Sequence, residues 1–443
     1  MKHLRLFPNA QVRDSVLADI DYPVLHSTDG VGIGVKPGVP GPDYSEPFYV
    51  ENITQQTETL RITGYDNGES DPASYLEIPV EFSTDGTNWS SLGTTGAEPL
   101  TRTLQPGDKV YLRATTNVWC EYQRDPYIDH GCTILGVSKV GGNIMSLLYG
   151  SNFNGRETTF PNGSTFNFKM LFNYNETLVS ASELILPATT LTQQCYQQMF
   201  YGCTSLTTAP ELPATTLARS CYYSMFHNCT SLTTAPVLPA TTLTYGCYQQ
   251  MFRGCEALVT APALPATTLA EYCYQSMFSD CTSLTTAPAL PATTLANSCY
   301  LGMFEMCTSL TTAPALPATT LAQSCYGNMF SGCSSLTTAP ALPATTLAQQ
   351  CYGQMFSYCT SLTTVPALPA TTLANSCYDS MFFECTNLNY IKCLATDISA
   401  TRCLYNWTYG VSATGTFVKN PNMSSWTTGN NGIPSGWTVQ DAA

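Results

Sequence analysis

Charge is scarce in this chain: only 11% of its 443 residues are Asp, Glu, Lys or Arg, with 17 basic against 31 acidic. The shortage is uneven. Residues 1–185 hold 12 basic and 22 acidic side chains, whereas residues 186–393 hold 3 and 7. No basic stripe remains to neutralise a phosphate backbone, so nucleic acid is excluded as a partner. No apolar run reaches the length that crosses a bilayer, which argues against membrane insertion. Histidine is rarer still, with four in the whole chain. GxSxG, HExxH and a glycine-rich phosphate loop are all missing, and with them the usual signatures of hydrolase, zinc-peptidase and nucleotide chemistry. Met1 to Val16 lacks the apolar core of a secretory signal, and no lipoprotein cysteine follows. The expectation from that end is a protein made and assembled in the cytosol.

What the chain has in abundance is repetition. From Leu186 to Cys393 a 26-residue unit, LPATTLxxxCYxxMFxxCTSLTTAPx, is written eight times, beginning at Leu186, Leu212, Leu238, Leu264, Leu290, Leu316, Leu342 and Leu368. Self-similarity at such a period signals a solenoid, where each copy buries its apolar side only by stacking on neighbours. Within one copy Leu191, Cys195, Met199 and Cys203 recur at steps of four. That stripe predicts a short helix over 191–203, capped by Thr189 or Thr190. The TSLTTAP that follows predicts a short strand, cut off by Pro210 and Pro213. Of the 20 cysteines, 17 fall into two columns, Cys195 to Cys403 and Cys203 to Cys385. A column on the apolar face reads more simply as buried free thiols than as a ladder of bridges.

These residues carry a resemblance. MFxxCTSLTTAPxLP, plainest at Met199–Pro213, resembles the BspA-like leucine-rich repeat, a family named for a Bacteroides surface protein. The resemblance implies a surface adhesin-like binding module rather than a chemistry. Pro210 departs from it, standing where a strand-forming residue is usual. STDGTNWSSL and LQPGDKVYLR resemble the β-domain that precedes such repeats in gut-bacterial and phage proteins.

The expected fold is α+β, in five parts. Residues 1–43, rich in Gly and Pro towards Tyr44, read as an extended anchoring arm. Short alternating strands with turn signals between them predict an immunoglobulin-like β-sandwich over 44–137. A connector and N-terminal repeat cap fill 138–185, strand–helix leucine-rich repeats fill 186–393, and a C-terminal cap fills 394–443. Trp407, Trp426 and Trp437 are the candidates to lid the last coil.

Variation between copies concentrates outside the apolar stripe. Gln193-Gln194 becomes Arg219-Ser220 or Tyr245-Gly246, and Tyr201-Gly202 becomes His227-Asn228 or Arg253-Gly254. Drift on a solvated face explains this; so does a diversified recognition face on which Tyr makes the contacts. On the second reading the ligand-binding candidates are Tyr201, Tyr223, Tyr245, Arg253, Tyr272, Tyr358 and Phe383. The constant Thr189, Thr190, Thr207 and Thr208 columns would form hydroxyl ladders, serving either the stack or a glycan. One dense polar constellation remains, Cys120 to Cys132. Cys120, Asp129, His130 and Cys132 are weak zinc candidates at a spacing that matches no standard finger, and a polar loop is the plainer reading. No cofactor and no catalysis are expected.

These readings converge on a virion structural protein, a fibre or decorating appendage of a gut phage of crAss-like type. Its arm would join other virion proteins, and its solenoid would meet host cell-surface glycan or protein. A homo-oligomer, such as a trimer, is expected. The rivals are a bacterial cell-surface adhesin of the same repeat type and a glycan-cleaving appendage.

Overall fold

The chain divides into two units, Met1–Tyr44 and Ser45–Ala443. The computed structural model describes residues 24–26, 32–34, 43–66, 76–96, 98–116, 119–122, 129–153, 158, 160–161 and 165–443. In the first unit, β1 (Val24–His26) pairs antiparallel with β2 (Gly32–Gly34). The rest of the arm expected over 1–43 lies outside the described residues.

The second unit begins with two sheets. One holds β7 (Leu100–Leu104), β4 (Glu58–Asp66), β10 (Asp129–Leu135) and β9 (Cys120–Tyr122), in that order and antiparallel throughout. The other runs β12 (Ser180–Ile185), β11 (Lys139–Asn143), β3 (Tyr49–Glu51), β8 (Lys109–Ala114), β5 (Pro79–Ser83) and β6 (Ser90–Thr94). Period-two burial marks the inward faces: on β8, Val110, Leu112 and Ala114 are buried and the residues between them half-buried. They share one apolar cluster with Leu60 and Ile62 of β4, Val80 of β5 and Ile134 of β10. Trp119 is fully buried there, its indole Nε1 donating to the Leu147 carbonyl at 2.6 Å. Leu147 belongs to α1 (Ser146–Tyr149), a single turn of helix.

β12 connects this region to the repeats. It pairs parallel with β11 on one side, and Ser180 bridges Thr208 of the first coil on the other. The sheet therefore continues into the solenoid. Beyond β12, however, the strand side of each coil shrinks to single parallel bridges, Thr208 to Thr234, Thr234 to Thr260 and Thr260 to Thr286 among them. The two prolines that follow each of these bridges, Pro210 and Pro213 after Thr208, have no N–H to offer a ladder.

The helix expected over 191–203 is not formed, and the chain is mostly sheet and turn rather than α+β. In its place runs a train of turns. The N–H groups of Gln194, Tyr196, Gln198, Phe200 and Gly202 donate to the carbonyls of Arg219, Cys221, Tyr223, Met225 and His227 in the next coil at 2.8–3.0 Å. The N–H groups between them, from Gln197, Met199, Tyr201 and Cys203, bond three residues back, at 3.1–3.3 Å. An α-helix would spend every interior N–H on its own fourth carbonyl back and leave none for a neighbour. The turn train is made possible by a left-handed residue at every fourth position, Gln194, Gln198 and Gly202, with φ of 56°, 55° and 71°. Such a conformation costs a non-glycine residue about 1 kcal/mol or more, which the inter-coil ladder offsets.

The result is pair-in, pair-out alternation. Cys195-Tyr196 and Met199-Phe200 are fully buried, as are their successors in the following coils. Tyr196 begins a near-parallel stack with ring centroids 5.7–6.1 Å apart that runs to Tyr378. Phe200 begins another, 5.3–6.1 Å apart, that runs to Phe382. The second cysteine column has a specific task. Cys203, Cys229, Cys255 and each successor to Cys359 place Sγ 3.1 Å from the phenylalanine carbonyl of the preceding coil. Each of the repeat phenylalanine carbonyls also accepts an N–H from its own coil, Phe200 from Cys203 at 3.1 Å, so the thiol adds a second donor that alanine would not.

Both ends of the stack are covered. Phe168 lies under Tyr196 at 6.2 Å and Phe172 under Phe200 at 5.2 Å. At the far end Trp407 meets Tyr378 at 6.2 Å and Phe382 at 6.0 Å, and Trp426 stacks on it in turn. There β13 (Tyr390–Cys393), β14 (Thr416–Lys419) and β15 (Thr438–Asp441) form a parallel three-stranded sheet.

Candidate binding face of the solenoid

Because residues enter and leave the core in pairs, the turn side of the solenoid presents three outer rows. The rows begin at Gln193-Gln194, Gln197-Gln198 and Tyr201-Gly202 and repeat every 26 residues. The candidates from sequence are spread over all three rather than gathered at one place. Tyr245 and Tyr272 lie in the leading row, their rings 5.4 Å apart edge to face, with the Arg219 guanidinium 4.2 Å above Tyr245. Tyr223 lies in the middle row, its hydroxyl donating to Gln250 Oε1 at 3.3 Å.

Tyr201, Arg253, Tyr358 and Phe383 belong to the trailing row, which has aromatic ends and a charged middle. At one end Tyr201 sits between Tyr174 at 5.3 Å and His227 at 4.7 Å. At the other, Phe383 sits between Tyr358 at 5.4 Å and Tyr409 at 5.0 Å, and Tyr358 is 51% exposed. Between them Arg253 Nε donates to Asp280 Oδ2 at 3.3 Å. Burial, aided by the neighbouring Arg253, holds the His227 imidazole down to about 4, and its Nδ1 is buried without a partner. Burial and the nearby Asp280 push the Glu305 carboxyl upward.

Sequence reasoning missed one part of the middle row. Asp379 accepts from Arg402 Nε at 3.0 Å, and it flanks the side chains of Asn328, Gln350 and Gln354 around a depression. Laying the copies out in register would have brought these residues together.

Thr207 and Thr208 of the first coil bond the segment before it. Thr208 Oγ1 donates to Ser180 Oγ at 2.9 Å, and Thr207 Oγ1 to the Val179 carbonyl at 3.0 Å. The cysteines of the stack are unbridged and buried. Burial pushes the thiols of Cys195 and Cys299 up to about 12, far from the reactive thiolate form.

Of the zinc candidates, Cys132 is buried, its thiol pushed up to about 11 by that burial and placed 3.9 Å from the Leu76 carbonyl. The backbone pairs Cys120 with Gly131 and His130 with Glu121. The side chains of Cys120, Asp129 and His130 lie outside the described residues. Among the described residues no group of three or more His, Cys, Asp or Glu side chains is placed to hold a metal ion. Also among them, no helix is long and apolar enough to cross a membrane.

A parallel stack of short coils with stacked aromatic columns and three variable outer rows is a repeat solenoid. The model of the BspA type leucine rich repeat region, in six copies, matches residues 172–311 and 298–407, more than half of the chain. The chain belongs to the BspA-type leucine-rich repeat family, whose repeats typically form binding scaffolds of the surface-adhesion type. No curated protein and no solved structure matches.

Proposed function

We propose that this chain is an adhesion protein displayed on a phage virion, whose outer solenoid rows meet glycan or protein on the host cell surface. The observation that carries the reading is the division of each coil. The inward pairs Cys-Tyr and Met-Phe are unchanged from Leu186 to Cys393, while the outward pairs range over Gln, Tyr, Arg, His, Leu, Gly and Asp. A surface that varies on an invariant frame presents a different chemical pattern at every coil. Exposed tyrosines such as Tyr358 and Tyr409 add amphipathic contact area at low entropic cost.

On this reading the two-sheet region after Ser45 is an immunoglobulin-like base, and the arm over 1–43 docks on other virion proteins, with the chain assembling as a homo-oligomer. Support for the arm is compositional: Val31–Tyr44 is rich in Gly and Pro, and Met1–Tyr44 divides from the remainder. A segment that orders on its partner loses conformational entropy only on docking. A bacterial cell-surface adhesin fits the same family membership, and location separates the two. Mass spectrometry should find the chain in purified virions; finding it only in a bacterial envelope fraction overturns the particle reading. Removing residues 1–39 should abolish incorporation, whereas removing 186–443 should permit incorporation and abolish host binding. Normal incorporation without residues 1–39 would put the attachment elsewhere.

A further inference from the structure

The middle outer row is not evenly filled. Its leading positions carry Gln197, Tyr223, Gln249, Gln275 and Leu301, then Gly327 and Gly353, then Asp379 and Tyr405. The backbone does not ask for those two glycines. Neither has a left-handed φ, in contrast to Gly302 and Gly332. A Cβ added to Gly353 would meet nothing closer than 3.6 Å, an ordinary contact, and one on Gly327 would meet only the flexible end of Leu301, at 2.9 Å. What the missing side chains do is open a cleft of about 300 Å³.

The cleft lies between the leading and middle rows, lined by Asn328, Gln350 and Gln354, with Asp379 and Arg402 in the following coils. Elsewhere in the row Gln249 Nε2 donates to Gln275 Oε1 at 2.8 Å and Ser224 Oγ to Gln250 Oε1 at 3.2 Å, whereas Gln197 Oε1 is buried without a partner. Among the described residues no hydrogen bond engages the side-chain amides of Asn328, Gln350 or Gln354. The charged pair, in contrast, is fixed. Arg402 Nη2 lies 2.9 Å from Asp379 Oδ2, Ser380 Oγ donates to Asp379 Oδ1 at 2.9 Å, and the guanidinium rests 4.1 Å from the Tyr405 ring centroid.

We propose that this cleft is a saccharide subsite that takes one neutral pyranose unit of a larger glycan. The proposal rests on the adhesion reading and deepens it by naming the ligand class and the place. About 300 Å³ is the lower end of the range for small-molecule sites. Each free amide offers donors and an acceptor side by side, matching sugar hydroxyls, which also both donate and accept. Asp379 and Arg402 cancel in charge, so the cleft has no net pull on an acidic sugar.

The test uses the full chain. Calorimetry and saturation-transfer NMR against methyl glycosides of glucose, galactose, mannose, fucose and N-acetylglucosamine should find at least one binder, with a Kd of about millimolar order. Gly353→Gln restores the residue found at 197, 249 and 275, so it should fold with unchanged melting and weaken that binding by about tenfold or more. Asn328→Gly, which keeps a residue suited to the φ of 52° there, should weaken it in the same direction. No binding by the native chain, or equal binding by Gly353→Gln, overturns the proposal. A printed panel of bacterial surface polysaccharides separates it from the adhesion reading. If native chain and Gly353→Gln bind the panel equally, adhesion stands and the cleft assignment falls. If a panel of whole host cells also fails to retain the native chain, the adhesion reading falls as well.

Discussion

The coils in the middle of the solenoid and the segments at its two ends share the same buried columns, yet only the ends carry true strands. β12 runs over Ser180–Ile185 and β13 over Tyr390–Cys393, whereas interior coils make single bridges at positions such as Thr234 and Thr260. The flanking sequence explains the contrast. Interior copies read TTAPxLP, or VTAPALP from Val259 and TTVPALP from Thr363, while VSASELILP and NYIKCLA place no proline within the paired residues. Threonine supplies β propensity in every copy, but proline decides how far pairing extends. The interior is therefore held mainly from its other side, by the turn-train ladder and the aromatic and thiol columns. The ends are held from the strand side too.

That contrast can be broken most forcefully from within. Phe278 is fully buried between Phe252 and Phe304, each 5.7 Å away, so Phe278→Ala should cost about 3–5 kcal/mol. Hydrogen exchange should then show loosened turn trains in the adjoining coils on both sides. Ile391→Pro attacks the end instead. Ile391 pairs with Phe417 inside the parallel sheet, and a proline there should cost about 3 kcal/mol or more. Exchange protection should fall over β13–β15 while the middle coils keep theirs; uniform loss would show that the strand sheet supports the whole array.

Acid probes the turn side. His227 is held near 4 in the folded chain, below its ordinary 6.5, so the unfolded chain takes up the proton first as pH falls. Stability from this residue is complete above about 6.5 and is lost as pH drops from there towards 4. Glu305, raised by burial, works in the opposite sense. His227→Ser, the residue found at 279, 331 and 357, should flatten the fall in melting temperature between pH 7 and pH 4 relative to the native chain. The smallest change is a gain. Met306 holds φ of 60° where the next coil has Gly332, and Met306→Gly should add about 0.5 kcal/mol by chemical denaturation.

The repeat, its length and its inward residues were legible because a period of 26 leaves little else for the chain to do. The helix was misread from a stripe at steps of four. An α-helix advances by 3.6 residues per turn, so four-residue steps drift by about 40° each and by about 120° from Leu191 to Cys203. A stripe kept strictly at four, and two residues wide at Cys195-Tyr196 and Met199-Phe200, belongs to a turn train. The left-handed positions gave little sign of themselves, since Gln194, Ser220, Tyr272 and Met306 fill them besides glycine. The binding candidates were chosen for being aromatic and variable. The amides around Gly327 and Gly353 lie far apart in the chain and become neighbours only through the register of three coils.

The pairing of β11 with β12 bears on how such a chain is made. Near-identical coils could stack out of order, one copy skipped, with each misplaced surface finding an almost perfect counterpart. Every hydrogen bond of the turn train that passes between coils reaches about one period, as from Tyr196 to Cys221, so a skipped copy would leave only a loop to betray it. β12 removes the ambiguity at the start. Its partner β11 is already fixed by β3 in the preceding sheet, and Ser180 then receives Thr208 of the first coil. During synthesis each newly completed coil meets a single exposed template. Assembly order should then follow the order of translation, so that a sequence that says the same thing many times is still folded in one way.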